Sequence, residues 1–119
     1  MRVYVAGALS TSITDGNRSD SKVVTDYIQN VHDMCMVSAR LTKKGYAPYV
    51  PGLDFLLGVV MGDFCEGDYR GIGMAFLEVC EAVLAISDSY GVREEVKRAE
   101  DLMIPVFYNE KELDEFREA

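Results

Sequence analysis

Histidine is nearly missing from this chain of 119 residues, with His32 the single copy. His32 falls in the middle of a helical pattern, where a surface or partly buried imidazole is the ordinary reading, so no Ser-His-Asp triad can be assembled. Cysteine is scarce too: Cys35, Cys65 and Cys80 are far apart, odd in number and form no Cys-x-x-Cys pair. That pattern argues for reduced thiols and, with one histidine, against a structural zinc site, so no metal is expected. Positive charge is also in short supply, 12 Lys and Arg against 20 Asp and Glu, for a net charge of −8. The basic face of a nucleic-acid binder is therefore lacking, although local backbone amides can still hold a small phosphorylated ligand. No apolar run is long enough to span a membrane, and the start at Met1 lacks the basic region and apolar stretch of an export signal. A cytoplasmic protein with no membrane partner is the expectation. A Walker-type Gly-Lys-Ser/Thr is absent, and Gly71-Ile-Gly73 is a poor dinucleotide fingerprint because Phe76 stands where its third glycine belongs.

What is present reads as alternating strands and helices in one domain, residues 1–119, with no repeat or linker. Arg2 to Ala6 is a short β-rich run stopped by Gly7, and Ser10 to Ser21 has the composition of a loop. From about Val23 to Lys44, apolar residues recur at helical spacing, with Lys43, Lys44 and Gly45 as the cationic last turn and stop. Tyr46 to Val50 is a second strand, and Pro48 within it and Pro51 after it limit its ladder bonds and suggest an outer position. Leu53 to Met61 reads as a short helix over a pocket, and Asp68 to Val79 as a further helix. Ala82 to Ile86 is a continuous apolar strand, followed by a helix from Tyr90 to Met103, a short strand at Pro105 to Phe107 and a charged final helix. Strands separated by helices imply a parallel sheet of four to five strands in a flavodoxin-like or Rossmann-like α/β three-layer sandwich. Such sheets bind ligands at the carboxyl ends of their strands. The loops there with distinctive chemistry are Gly7-Ala-Leu-Ser10 and Ser87-Asp-Ser-Tyr-Gly91.

Two acids follow the second loop, and helical phase separates them. With Val92 at zero and about 100° per residue, Val96, Ala99 and Met103 fall within roughly 40° and mark the face that packs on the sheet. Glu95 falls at about −60°, inside that apolar arc, and Glu94 at about 200°, facing water. An unpaired buried carboxylate is costly. Glu95 is thus either a hydrogen-bonded structural glutamate or, better suited to the ligand edge of a sheet, a reactive carboxylate. Tyr4 admits two readings as well, a buried tyrosine of the sheet or a hydroxyl presented to that edge. Asp63, Glu66 and Asp68 precede a helix, where negative charge is ordinarily favoured by the dipole.

Taken in order, several stretches resemble the nucleoside 2-deoxyribosyltransferase superfamily, which includes 2′-deoxynucleoside 5′-monophosphate N-glycosidases. They are Val3-Tyr-Val-Ala-Gly-Ala-Leu-Ser10, Asn30-Val31, Lys44-Gly-Tyr-Ala-Pro-Tyr-Val-Pro51, Cys80-Glu-Ala-Val83, Ser89-x-Gly91-x3-Glu95 and Ile104-Pro-Val106. The resemblance implies that Glu95 is the nucleophile and that Tyr4 lies close to it. It implies that Ser89 and Gly91 receive the substrate's 5′ end, with Gly7 and Ser10 lining the same pocket. The implied chemistry is that of a retaining glycosidase on a C–N bond, in which a glycosyl-enzyme is resolved by water or a second base. A homodimer with a shared site is implied, and no metal or organic cofactor.

One position departs from that pattern. Relatives carry an aspartate, associated with handling the leaving base, eight residues ahead of the acid matching Glu81, and this chain has Gly73 there. Asp68, about one turn earlier, is the available substitute. The expected function is hydrolysis, more than transfer, of the N-glycosidic bond of a 2′-deoxynucleoside or its monophosphate. The alternative is a catalytically weakened nucleotide-binding or sensor module, which Gly73 favours. A plain interaction domain with no ligand is disfavoured by the inward Glu95.

Overall fold

The computed structural model describes residues 1–9 and 20–119. The expected loop from Ser10 lies outside them, except that Asp20 and Ser21 already belong to the first helix. The elements run β1 (Arg2–Ala6), α1 (Asp20–Lys43), β2 (Ala47–Tyr49), a 3-10 turn (Pro51–Asp54), α2 (Phe55–Met61), α3 (Glu66–Leu77), β3 (Ala82–Ala85), α4 (Tyr90–Asp101), β4 (Val106–Phe107) and α5 (Glu110–Glu118). The four described strands form one all-parallel sheet in the order β2-β1-β3-β4. This is an α/β three-layer, Rossmann-like fold in a single domain.

Alternation along the strands explains the layers. Val3, Val5 and Leu84 face one side, where Met34 and Leu41 of α1 and Leu113 of α5 cover them. Tyr4, Ala6, Val83 and Ala85 face the other, against Leu77 of α3 and Val92 and Ala99 of α4. The central strands β1 and β3 are therefore apolar on both faces, as buried parallel strands must be. Strand β2 takes an edge, where the missing N–H of Pro48 costs no ladder bond on its outer side.

Two helices end in contrasting ways. At the end of α1, Gly45 adopts a left-handed φ of 93° while the Tyr46 N–H reaches back to the Leu41 carbonyl at 3.0 Å. At the end of α4 the same turn is made by Met103, at φ 61°, with the Ile104 N–H on the Ala99 carbonyl at 2.8 Å. Glycine makes this turn without strain, and methionine does not. Met103 is consequently 90% exposed, which corrects its expected place on the sheet-packing face: the helix stops two residues short of it. Helix α5 is held at the first of these turns by Asp114, which accepts from the Lys44 ammonium and the Tyr46 hydroxyl, each at 2.7 Å.

Helix α2 differs from expectation in its role. Leu56 is 66% and Val60 72% exposed, and none of the helix's described residues lines either cleft described below. Among its described residues Gly58 is buried, under the Tyr69 ring of α3, whose hydroxyl a Cβ at this position would overlap. Among the described residues no helix is long and apolar enough to cross a membrane.

Candidate active site

The chain leaves β1 through α1 on one face of the sheet and leaves β3 through α4 on the other. Neighbouring strands that diverge in this way open a crevice at their carboxyl ends. The two loops there are tied together by the Ile86 N–H on the Ala6 carbonyl at 2.9 Å and the Ala8 N–H on Ser87 Oγ at 2.8 Å.

Ser89 starts α4. In extended backbone, its Oγ accepts the Val92 N–H at 3.1 Å, satisfying a donor that the first turn leaves orphaned. The helix then carries Glu95 over β1, where its carboxylate lies near enough to the Tyr4 hydroxyl for each to shift the other's titration. Burial pushes the Glu95 carboxyl up to about 7, opposed by the Tyr4 hydrogen bond and the nearby Arg70 charge, with Glu94 adding to the rise. Burial, reinforced by the Glu95 charge, also drives the Tyr4 phenol far above its ordinary range. Near neutrality, Glu95 is therefore a titrating carboxyl and Tyr4 a permanent donor.

Glu94 requires a correction. It is only partly open to water: α3 lies beside α4, and Arg70 Nη2 meets Glu94 Oε2 at 2.8 Å, leaving that side chain 30% exposed. The Tyr90 hydroxyl lies near the same acid, which raises its titration. Helical phase within α4 was silent about α3 as a neighbour.

Asp68 is not brought to this group. Its carboxylate accepts the Cys65 N–H at 2.8 Å and completes a capping box at the start of α3, so an exposed cap occupies the residue expected to replace the missing acid. Gly73 does reach the site: a Cβ built there would lie 3.1 Å from the Tyr4 hydroxyl. Gly91 lines the cleft with Glu95 and Tyr4. Gly7 packs instead against Met34, whose Sδ would be 2.9 Å from a Cβ at that position. Ser10 lies outside the described residues.

Residues not anticipated from sequence complete the walls. Tyr69 and Arg70 line the cleft from α3; Arg70 is one turn before Gly73, so the spacing to that glycine was an available signal. Behind Tyr4, the Tyr49 ring lies 5.5 Å away, centroid to centroid, and stacks on Phe76 at 4.6 Å. Tyr49 in turn donates to Asp54.

The cleft holds about 160 Å³, below the roughly 300–1,000 Å³ of sites that enclose a whole ligand. A larger cleft of about 570 Å³ lies on the other flank of α4, with Asp88, Arg93, Lys97 and Tyr108 among its walls. There Asp88 and Arg93 neutralise one another at 2.7 Å, and no buried carboxyl faces a donor. Glu95 and Tyr4 face the smaller cleft. Comparison with protein-family models, with curated proteins and with solved structures finds no match for this chain.

Proposed function

We propose that this protein cleaves the N-glycosidic bond of a 2′-deoxynucleoside or its 5′-monophosphate, with Glu95 as nucleophile. The observation that carries this reading is the Tyr4 phenol and the inward Glu95 carboxyl brought together in one cleft at the switch point of the sheet. A carboxylate steadied by a neighbouring phenol is placed for attack on C1′. Its raised titration range makes it a better nucleophile than a surface glutamate, at the expense of being partly protonated at neutral pH. The N-terminus of α4, with Gly91 in the wall and Ser89 as its cap, has the polarity to hold a 5′-phosphate. The motif resemblance assigns these residues the same roles.

A homodimer with a shared site belongs to this proposal. The described walls enclose too little volume for a nucleotide, and the exposed apolar side chains of α2 are a surface that a second copy would cover. A specific observation also favours the alternative of a nucleotide-binding module with weakened catalysis: no acidic side chain stands at Gly73, beside Tyr4.

Base release from a panel of deoxynucleosides, their monophosphates and ribonucleotides separates these readings, with Glu95→Gln beside the unaltered protein. Cleavage that Glu95→Gln abolishes is the expected result. Tight nucleotide binding without base release would establish the binding module, and full activity in Glu95→Gln would remove the mechanism.

A further inference from the structure

A cleaved C–N bond leaves its electron pair on the base, so a site of this kind needs something to receive negative charge. Gly73 supplies no acid, and Asp68 is committed to the cap of α3. Among the described residues lining the cleft, Arg70 is the single cation; Glu94 and Glu95 are the acids. Its guanidinium, which lines the cleft, is held by Glu94 at 2.8 Å, and the Tyr90 hydroxyl lies near Glu94. Arg70 is also near enough to Glu95 for its charge to act on that carboxyl. An isolated surface pair would have no such neighbours.

We infer that Arg70 of α3 is the leaving-group residue of this site and that it selects oxo-bases such as guanine or hypoxanthine over adenine. This rests on the glycosidase reading above. A guanidinium only donates, in a planar fork that suits two adjacent acceptors. Guanine offers such a pair in O6 and N7, whereas adenine places an amino donor beside N7. In the step, a Glu95 carboxylate oxygen bonds to C1′ as the C1′–N bond breaks, and the base departs as an anion against Arg70. Water then hydrolyses the glycosyl ester: its hydroxyl goes to C1′, its proton neutralises the base, and Glu95 returns as carboxylate. No acid at position 73 is required, because charge pairing replaces protonation of the leaving base.

The test compares Arg70→Gln, Arg70→Lys and Glu94→Gln with the unaltered protein on the deoxynucleoside monophosphates of guanine, hypoxanthine and adenine. Arg70 is part exposed, so the substitutions leave the fold standing, which circular dichroism checks. Arg70→Gln is expected to lower kcat on the guanine substrate by about 100-fold or more, as for loss of a transition-state donor, with KM little changed. The loss is larger on the guanine and hypoxanthine substrates than on the adenine substrate, Arg70→Lys recovers part of it, and Glu94→Gln retains the oxo preference. An equal loss on every substrate, or one confined to KM, overturns the inference. If no substrate releases its base, the glycosidase reading fails separately, and calorimetry with free guanine and adenine decides Arg70. A guanine preference that Arg70→Gln erases keeps its recognition role, and equal binding of both bases removes it.

Discussion

Gly73 and Tyr4 meet across the space a side chain would fill: a Cβ on Gly73 would stand 3.1 Å from the Tyr4 hydroxyl. The distance is tighter than ordinary contact. Gly73→Ala therefore pushes the hydroxyl aside by a few tenths of an ångström and loosens its bond to Glu95. A gain in helix propensity of about 1 kcal/mol offsets the crowding, so stability changes by less than about 1 kcal/mol. The Glu95 carboxyl titrates higher than its present value of about 7. Carboxyl NMR of the variant checks this, and an unmoved titration would show that the contact has no effect on Glu95.

Tyr4→Phe acts in the same direction and further. It removes the donor that favours the ionised Glu95, leaving burial unopposed on that side. A hydrogen bond to a charged group contributes about 1.5–3 kcal/mol, so base release at pH 7 falls by roughly 10- to 100-fold. The acid limb of the pH–rate profile moves upward. An unchanged limb with a lower plateau would mean that Tyr4 positions the substrate and does not tune Glu95.

Glu95 also leaves a mark on stability. Its carboxyl is raised from an ordinary 4.5 to about 7, so between those values the folded chain holds a proton that the unfolded chain has released. Stability accordingly falls as pH rises through that window. Glu95→Gln removes the penalty and stabilises the protein above pH 7 by on the order of 2–3 kcal/mol. The melting-temperature gap between variant and parent should open from pH 5 to pH 8. A gap constant across pH would show that Glu95 is not desolvated.

Met103 is the clearest backbone liability. At φ 61° it bears a strain that glycine avoids, and its exposed side chain offers little packing in return. Met103→Gly should raise stability by about 1 kcal/mol, read in urea unfolding, with activity unaltered. A lower midpoint would contradict it.

Much of the fold was legible because the signals were local. The all-apolar run Ala82 to Ala85 identified a strand buried on both faces, and Gly45 identified the end of α1. Helical phase also turned Glu95 toward the sheet, since β1 lies under that side of α4. The same reasoning misplaced Glu94, because its surroundings come from Arg70 of α3, a relation between elements that no single-helix pattern contains. Asp68 was misassigned for a related reason: a carboxylate at the first turn has a competing partner in its own backbone, and the cap takes it. Helix α2 was expected to shelter a pocket from its apolar content alone. Composition describes how much of a helix is apolar, not which neighbour receives it.

The row of rings from Tyr4 through Tyr49 to Phe76 has a spectroscopic consequence. The chain contains no tryptophan, so its near-ultraviolet circular dichroism comes from tyrosine and phenylalanine. Tyr4 and Tyr49 are close enough for their transitions to couple, and Tyr4 lies beside the central carboxyl of the site. The protein thus carries an intrinsic optical reporter at the cleft, sensitive to the ionisation of Glu95 and to any ligand that disturbs Tyr4, without a label.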